Sequence, residues 1–297
     1  MKAKKPKAPP RRVLAVARPR RCAAVKTPAI HSSAVVASSA ELAHDVSVGP
    51  YAIIGPRVRI GAGSSVGAHA VIEGHTTIGA GNQIFQFAAV GALPQDLKYR
   101  GEDSELIIGD RNIIREFATL HPGTSGGGMV TRVGNGNLLM AYTHVAHDCI
   151  VGNNNIVANG AQLGGHVIVG DYAVIGALVG ILQFTTIGES VMLGGGAMVA
   201  LDVPPFCNAT GDRAVLHGLN TIGLHRRGFS EETIAALKQA YRIMFRSGLK
   251  VAEAAQRIRA EVPGAEVERF VAFIEASKHG VCRERGRAAG GDSSSAA

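Results

Sequence analysis

Three histidines in the middle of the chain stand where side chains could share a proton. His144 and His147 flank Val145 in the run Tyr142-Thr143-His144-Val145-Ala146-His147-Asp148-Cys149, and His166 follows nineteen residues after His147. Imidazole titrates near neutral pH, so a neighbouring carboxylate such as Asp148 could orient it as a general base toward a hydroxyl. Three histidines around an open water could instead hold zinc for a hydrolyase. A third reading keeps the rings structural, hydrogen-bonded between chain segments or subunits. His-x-x-His on extended chain is not a usual zinc spacing, and no carboxylate or cysteine ligand pattern accompanies it. Cys149, taken alone, is a tempting nucleophile. His31, His44, His69 and His75 read as solvated positions.

The elements that carry these residues show in a period of six. Ile30, Val36, Leu42, Val48, Ile54, Ile60, Val66, Ile72, Ile78, Ile84 and Val90 are all aliphatic. The phase returns at Ile108, Ile114 and Leu120, slips by one, and runs from Val133 to Val199. The fifth place of the hexad is small, as at Ala52, Ala70, Thr143, Cys149, Ala161 and Ala173, so Cys149 reads as core. One hexad holds a short strand and a corner, with the large aliphatic inward and a small residue where the corner crowds the axis. Three hexads close a triangular coil, and coils stack as parallel strands ~4.8 Å apart. A β-sandwich predicts period two and irregular turns instead.

Such stacking brings His147 and His166 within one strand spacing, and places Gln183, thirty-six residues from His147, two coils above. One face thus presents His144, His147, His166 and Gln183. Interruptions at Gly91–Leu106 and Pro122–Thr131 mark the binding face, because solenoid insertions gather there. After Val199 the period stops, Pro204-Pro205 breaks the last coil, and Asn208–Gly228 reads as an irregular connection. Ser230 caps a helix carrying Ile234, Leu237, Tyr241, Met244 and Phe245, and Gly248 ends it. Further helices are expected over Val251–Val262 and Ala265–Lys278.

Composition excludes several classes. Lys+Arg is 31 and Asp+Glu 23, a net charge of +8. Ten of those basic residues, and no acid, lie in residues 1–28, so the remainder carries 21 basic and 23 acidic groups, a net of −2. A near-neutral folded part argues against a nucleic-acid-binding domain. Hydrophobics at 46% exclude bulk disorder. Four scattered cysteines exclude a disulfide framework and fit a reducing compartment. No apolar run is long enough to span a bilayer.

Several motifs are specific: Gln95-Asp96-Leu97-Lys98-Tyr99, Ile114-Arg115-Glu116, His121-Pro122-Gly123-Thr124, Asn137-Leu138-Leu139-Met140, Ala146-His147-Asp148-Cys149, Asp202-Val203-Pro204-Pro205 and Arg226-Arg227-Gly228-Phe229. With these, the chain from about Thr27 to Ser247 resembles the UDP-N-acetylglucosamine O-acyltransferases that begin lipid A biosynthesis, a branch of the hexapeptide-repeat acyltransferases. The resemblance implies transfer of an (R)-3-hydroxyacyl group from acyl carrier protein to the glucosamine 3-hydroxyl. It makes His147 the general base, Asp148 its orienting carboxylate and the Gly165 N–H an oxyanion donor. Gln95, Asp96, Lys98, His144 and His166 match positions around the sugar and acyl groups. Gln183, Asn220, Arg226 and Arg227 match the nucleotide end, and Gly195 the place that gauges acyl length. Leu182, Ile222 and Asp212-Arg213 depart from the pattern (histidine, glutamate and Asn-His), all on the acceptor side.

The expected architecture is mainly β: a left-handed parallel β-helix over 29–203, a connecting segment 204–229 and a helical domain 230–280. The ends, 1–28 and 281–297, are expected to be disordered. The resemblance also implies a cytoplasmic homotrimer without cofactor or metal. Lys238, Arg242, Arg246 and Lys250 are then either a solvated face or the surface that docks the acidic carrier protein. The basic extension suits a tether to anionic lipid or an organelle transit segment. Acylation of a 3-amino sugar analogue, a zinc hydrolyase and an inactive scaffold are the competing functions.

Overall fold

The computed structural model describes residues 29–284, so the expectations for 1–28 and 285–297 lie outside the described residues. Most strands are two residues long, the second pointing inward, and Ile54, Ile72, Leu163 and Ile175 are fully buried. Residues eighteen apart pair in parallel register, as Ile54↔Ile72 and Val151↔Val169. The small fifth-place residues Ala52, Ala70, Thr143, Cys149, Ala161 and Ala173 are buried at the corners.

Three sheets form the walls of a left-handed parallel β-helix. Sheet I has nine strands, from Val35–Val36 to Met198–Val199, and sheet II has eight, from Glu41–Leu42 to Thr186–Ile187. Sheet III begins at Ser47–Val48. The chain runs I, II, III and returns, which makes three columns of corners. Buried Asn82, Asn112, Asn137 and Asn155 climb the II/III corner, each Oδ1 accepting the backbone N–H of the next rung. That pairing offsets the cost of burying amides. At the III/I corner Tyr51, His69, Phe87, Phe117 and Tyr142 stack with centroids 4.8–5.2 Å apart. His69 is therefore a rung of an aromatic ladder and not a merely solvated position, a correction that follows from the vertical repeat of its corner.

The two insertions shift the register without breaking it. Val90 pairs with Leu120, thirty residues on, and Leu120 with Val145, twenty-five on. Both excess segments leave the I/II corner on successive coils, so the inward aliphatic places keep their alignment.

Two expectations are corrected beyond Val199. The segment 204–229 is structured: Cys207–Thr210 extends sheet III beside Met192–Leu193 and pairs antiparallel with Val215–Leu219. Cys207 and Ala209 alternate inward, a pattern too short to read as a strand in the sequence. Helix α1, Thr221–Arg226, follows, capped by the Asn220 side chain accepting from the Gly223 N–H. Helices α2 (Glu231–Arg246), α3 (Val251–Glu261) and α4 (Ala265–Ala276) pack through Ile234, Leu237, Ile258, Phe270 and Val271. The second correction concerns the tail. Cys282 is buried with its N–H donating to the Asp202 carbonyl, and Glu284 accepts from the Tyr241 hydroxyl and the Arg246 guanidinium. Residues 281–284 thus seal the last coil against α2.

Coil packing outweighs this half-exposed seal. Leu163→Ala should cost about 2–5 kcal/mol of unfolding free energy in urea titration, and Glu284→Ala less than about 1 kcal/mol.

Candidate active site at the I/II corner

Asp148 organises the corner. It occupies the left-handed corner position at φ 60°, and its side chain is fully buried. The second insertion folds over it. Thr124 donates its N–H to Oδ1 at 2.9 Å and its hydroxyl to Oδ2 at 2.6 Å. Gly127 lies so close that a Cβ there would fall 2.1 Å from the carboxylate carbon. Thr131 Oγ1 accepts the Asp148 N–H at 2.7 Å.

His147 Nδ1 donates to Asp148 Oδ2 at 2.8 Å. A proton held on Nδ1 leaves Nε2 as the acceptor, which is the tautomer a base requires. One coil above, Gly165 backs the ring: a Cβ there would meet His147 Cε1 at 2.6 Å. The Gly165 N–H finds no backbone acceptor among the described residues. His166 stands edge-on to His147 at 5.1 Å, stacks on Phe184 at 4.4 Å, and brings Nε2 to 3.9 Å from Asp148 Oδ2. Burial lowers the His166 pKa, with Asp148 opposing and the charges of Asp96 and Lys98 also felt. The first insertion thus reaches the corner; Asp96 Oδ1 is itself held by the Lys98 N–H at 2.9 Å. Gln95 and Lys98 are exposed there, as is Gln183 two coils above His147.

His144 belongs to sheet I. It lines a groove of about 370 Å³ together with Gln162 and a set of mostly apolar walls that includes Ala146, Leu163, Ile181, Leu182, Met198 and Val199. Burial lowers its pKa, and the neighbouring His147 adds to this. Below it lies His121, which the six-residue period does not place beside the other histidines. The second insertion stretches its separation from His147 to twenty-six residues and hides the relation. His121 is buried and its pKa is pushed down to about 4, by burial first and then by His144 and His147. Cys149 is core, its thiol pushed up to about 12 by burial.

Asn220, Arg226 and Arg227 do not join this corner. Arg227 stacks over Tyr172 at 3.7 Å and bonds Ser190, and Asn220 Nδ2 donates to the Ser190 carbonyl at 3.0 Å. Tyr172 and Ser190 lie on the II/III corner, so all of sheet II separates these residues from His147 in one chain. Gly195 sits at the III/I corner above Ala177 and is not a wall of the groove. Arg246, expected on a docking face, is held by Glu284. Leu182 and Ile222 are exposed.

His147, Asp148 and His166 bring ligand atoms within 4.8 Å of one another, the set that could hold a metal. The Asp148 lone pairs are already engaged by Thr124 and His147, which suits an orienting role better than ligation.

Two expectations test the site. Gly127→Ala should lower kcat by roughly 10–100-fold with the melting midpoint little changed, since it displaces the carboxylate that sets the His147 tautomer. His121 titrates near 6.5 when unfolded and about 4 when folded. The unfolded chain therefore binds more protons in that window, and stability present above 6.5 is lost as pH falls toward 4. Unfolding titrations of His121→Phe should show a flatter loss, by up to about 1.4 kcal/mol per pH unit.

The family model "Udp N-acetylglucosamine O-acyltransferase; Domain 2" matches residues 202–282, and the bacterial transferase hexapeptide model matches 39–74 and 131–165. The acyl-[acyl-carrier-protein]–UDP-N-acetylglucosamine O-acyltransferase of Myxococcus xanthus is 57% identical over 255 residues, 86% of this chain and 99% of that protein. LpxA of Acinetobacter baumannii superposes with a TM-score of 0.84 at 45% identity, covering 86% of this chain and 99% of that one. The UDP-N-acetylglucosamine acyltransferase of Arabidopsis gives 0.73 at 35% identity over 86% of this chain and 100% of that one. Similarity of this degree over nearly the whole length of its relatives makes the chain a member of the UDP-N-acetylglucosamine O-acyltransferase family.

Proposed function

We propose that the protein transfers an (R)-3-hydroxyacyl group from acyl carrier protein to the 3-hydroxyl of UDP-N-acetylglucosamine, the opening step of lipid A synthesis. The observation that carries this reading is the buried Asp148 orienting His147 beside an apolar groove of about 370 Å³. In this reading His147 Nε2 takes the hydroxyl proton as the oxygen attacks the thioester carbonyl. The Gly165 N–H receives the developing oxyanion. Collapse breaks the C–S bond, and the imidazolium returns its proton to the departing thiolate of the carrier. The acyl tail lies in the groove, and Gln95, Asp96, Lys98 and His166 hold the sugar. No cofactor or metal is needed for this sequence of steps.

The placement of Asn220, Arg226 and Arg227 supports a trimer. They can serve the nucleotide end only if a second copy brings its II/III corner to the first copy's I/II corner, completing each site between chains. Gln183 faces that junction from the I/II side. The carrier protein docks on the basic surface of the helical region, where Lys238, Arg242 and Lys250 have no ion-pair partner among the described residues. Among those residues no helix is long and apolar enough to cross a membrane, and a cytoplasmic location fits a carrier-protein substrate.

Purified protein given 3-hydroxyacyl carrier protein and UDP-N-acetylglucosamine should form acylated sugar by mass spectrometry, and His147→Ala should lose at least about 10²-fold in rate. Absence of turnover with this sugar and with its 3-amino analogue would refute the assignment. Co-refolding His147→Ala with Arg227→Ala should restore part of the activity that each lacks alone, because mixed trimers contain a junction with both residues intact. No restoration would place the whole site in one chain.

A further inference from the structure

His147 has Asp148 to orient it, but among the described residues no carboxylate bonds to His144. Its Nδ1 meets the Thr119 hydroxyl at 2.7 Å. Thr119 and His144 are register partners on adjacent strands of sheet I, so coil spacing itself sets this contact. His121, two residues beyond Thr119, lies edge-on to His144 with centroids 4.8 Å apart and planes at 78°. It is 4% exposed, and its Nδ1 has no hydrogen-bond partner among the described residues. His147 faces His144 from the corner, and Gln162 is its register partner on the strand above. With Nδ1 engaged, Nε2 is the nitrogen His144 can present to the groove it lines.

We propose that Thr119 and His121 are positioning residues for His144: the hydroxyl fixes its tautomer and the His121 ring fixes its plane. A hydroxyl that donates to Nδ1 leaves the ring proton on Nε2. His144 then offers a donor to the oxygen atoms of the acyl group where the donor enters the groove. His121 supports the ring by an edge-to-face contact, a geometry favoured between aromatic rings. It stays neutral and so places no second charge beside His144 and His147. The inference rests on the acyl-transfer reading, because it assigns His144 to the acyl donor.

Steady-state kinetics on the full chain test it, with 3-hydroxyacyl carrier protein varied at saturating sugar. Thr119→Val, which keeps shape and removes the hydroxyl, should raise the donor KM by about tenfold with kcat changed less than about threefold. Thr119→Ser should rescue this. In a double-mutant cycle, Thr119→Val on a His144→Asn background should add no further loss. His121→Ala should also raise the donor KM, and His121→Phe should rescue it by restoring an edge-on ring. Thr119→Ala serves if the valine variant does not fold.

Additive losses in the cycle, wild-type kinetics for Thr119→Val, or failure of the serine rescue would overturn the role of Thr119. A loss beyond about tenfold in His121→Phe would show that the imidazole nitrogens act directly, overturning the role of His121. These results are separable from failure of the underlying reading, in which the unaltered protein shows no acyl transfer at all.

Discussion

The hydrogen-bond ladder between successive coils is the constraint on which the rest depends. Residues eighteen apart must pair, so each inward place repeats vertically and each corner becomes a column about one strand spacing tall per step. A side chain placed on a corner inherits neighbours at fixed height: Asp148, His166 and Phe184 occupy the same left-handed position on three coils. The rings of His166 and Phe184 stack because the backbone beneath them repeats. Precision of this kind comes from the frame and not from local loop packing.

The insertions use that frame without disturbing it. Both leave the column that bears His147, and both return to the aliphatic register on the next wall. The second one supplies what the coil lacks. A corner built from small residues has no means of surrounding a carboxylate with donors; Thr124 provides them by folding over Asp148, and Gly127 makes room for the carboxylate beneath the insertion. The buried charge is thereby satisfied, and its remaining acceptor capacity is directed at one nitrogen of His147. Removing the donors would leave a desolvated charge that burial disfavours.

Electrostatics at the site follow from crowding. Four imidazoles share a small volume with one carboxylate, and only His147 has Asp148 as a close hydrogen-bond partner. Burial lowers the pKa of His121, His144 and His166 and so disfavours their charged forms, most of all for His121, which is pushed down to about 4. The groove beside them is apolar, as the transfer of an acyl chain away from water requires.

Periodicity made the solenoid, its core and the two insertions legible in the linear chain, since a six-residue repeat can bury its aliphatic face in few other ways. The pairing of His147 with Asp148 was likewise visible as direct adjacency, and the proximity of His166 as an offset of one coil. His121 was not, because an insertion of unknown path destroys the arithmetic that relates coils. The hairpin at 207–219 and the seal at 281–284 were also hidden. These segments lie outside the six-residue repeat, and their burial depends on the end of the solenoid offering them a surface. The corner that received Arg227 was a matter of tertiary placement alone. Motif order along the chain says nothing of which wall a returning segment meets, and that meeting, through Tyr172 and Ser190, sets Arg227 a full sheet away from the base. Sequence thus determined the repeating frame and the identity of its chemical groups; tertiary structure decided which groups share a corner, because contact between distant segments depends on packing that no local pattern encodes.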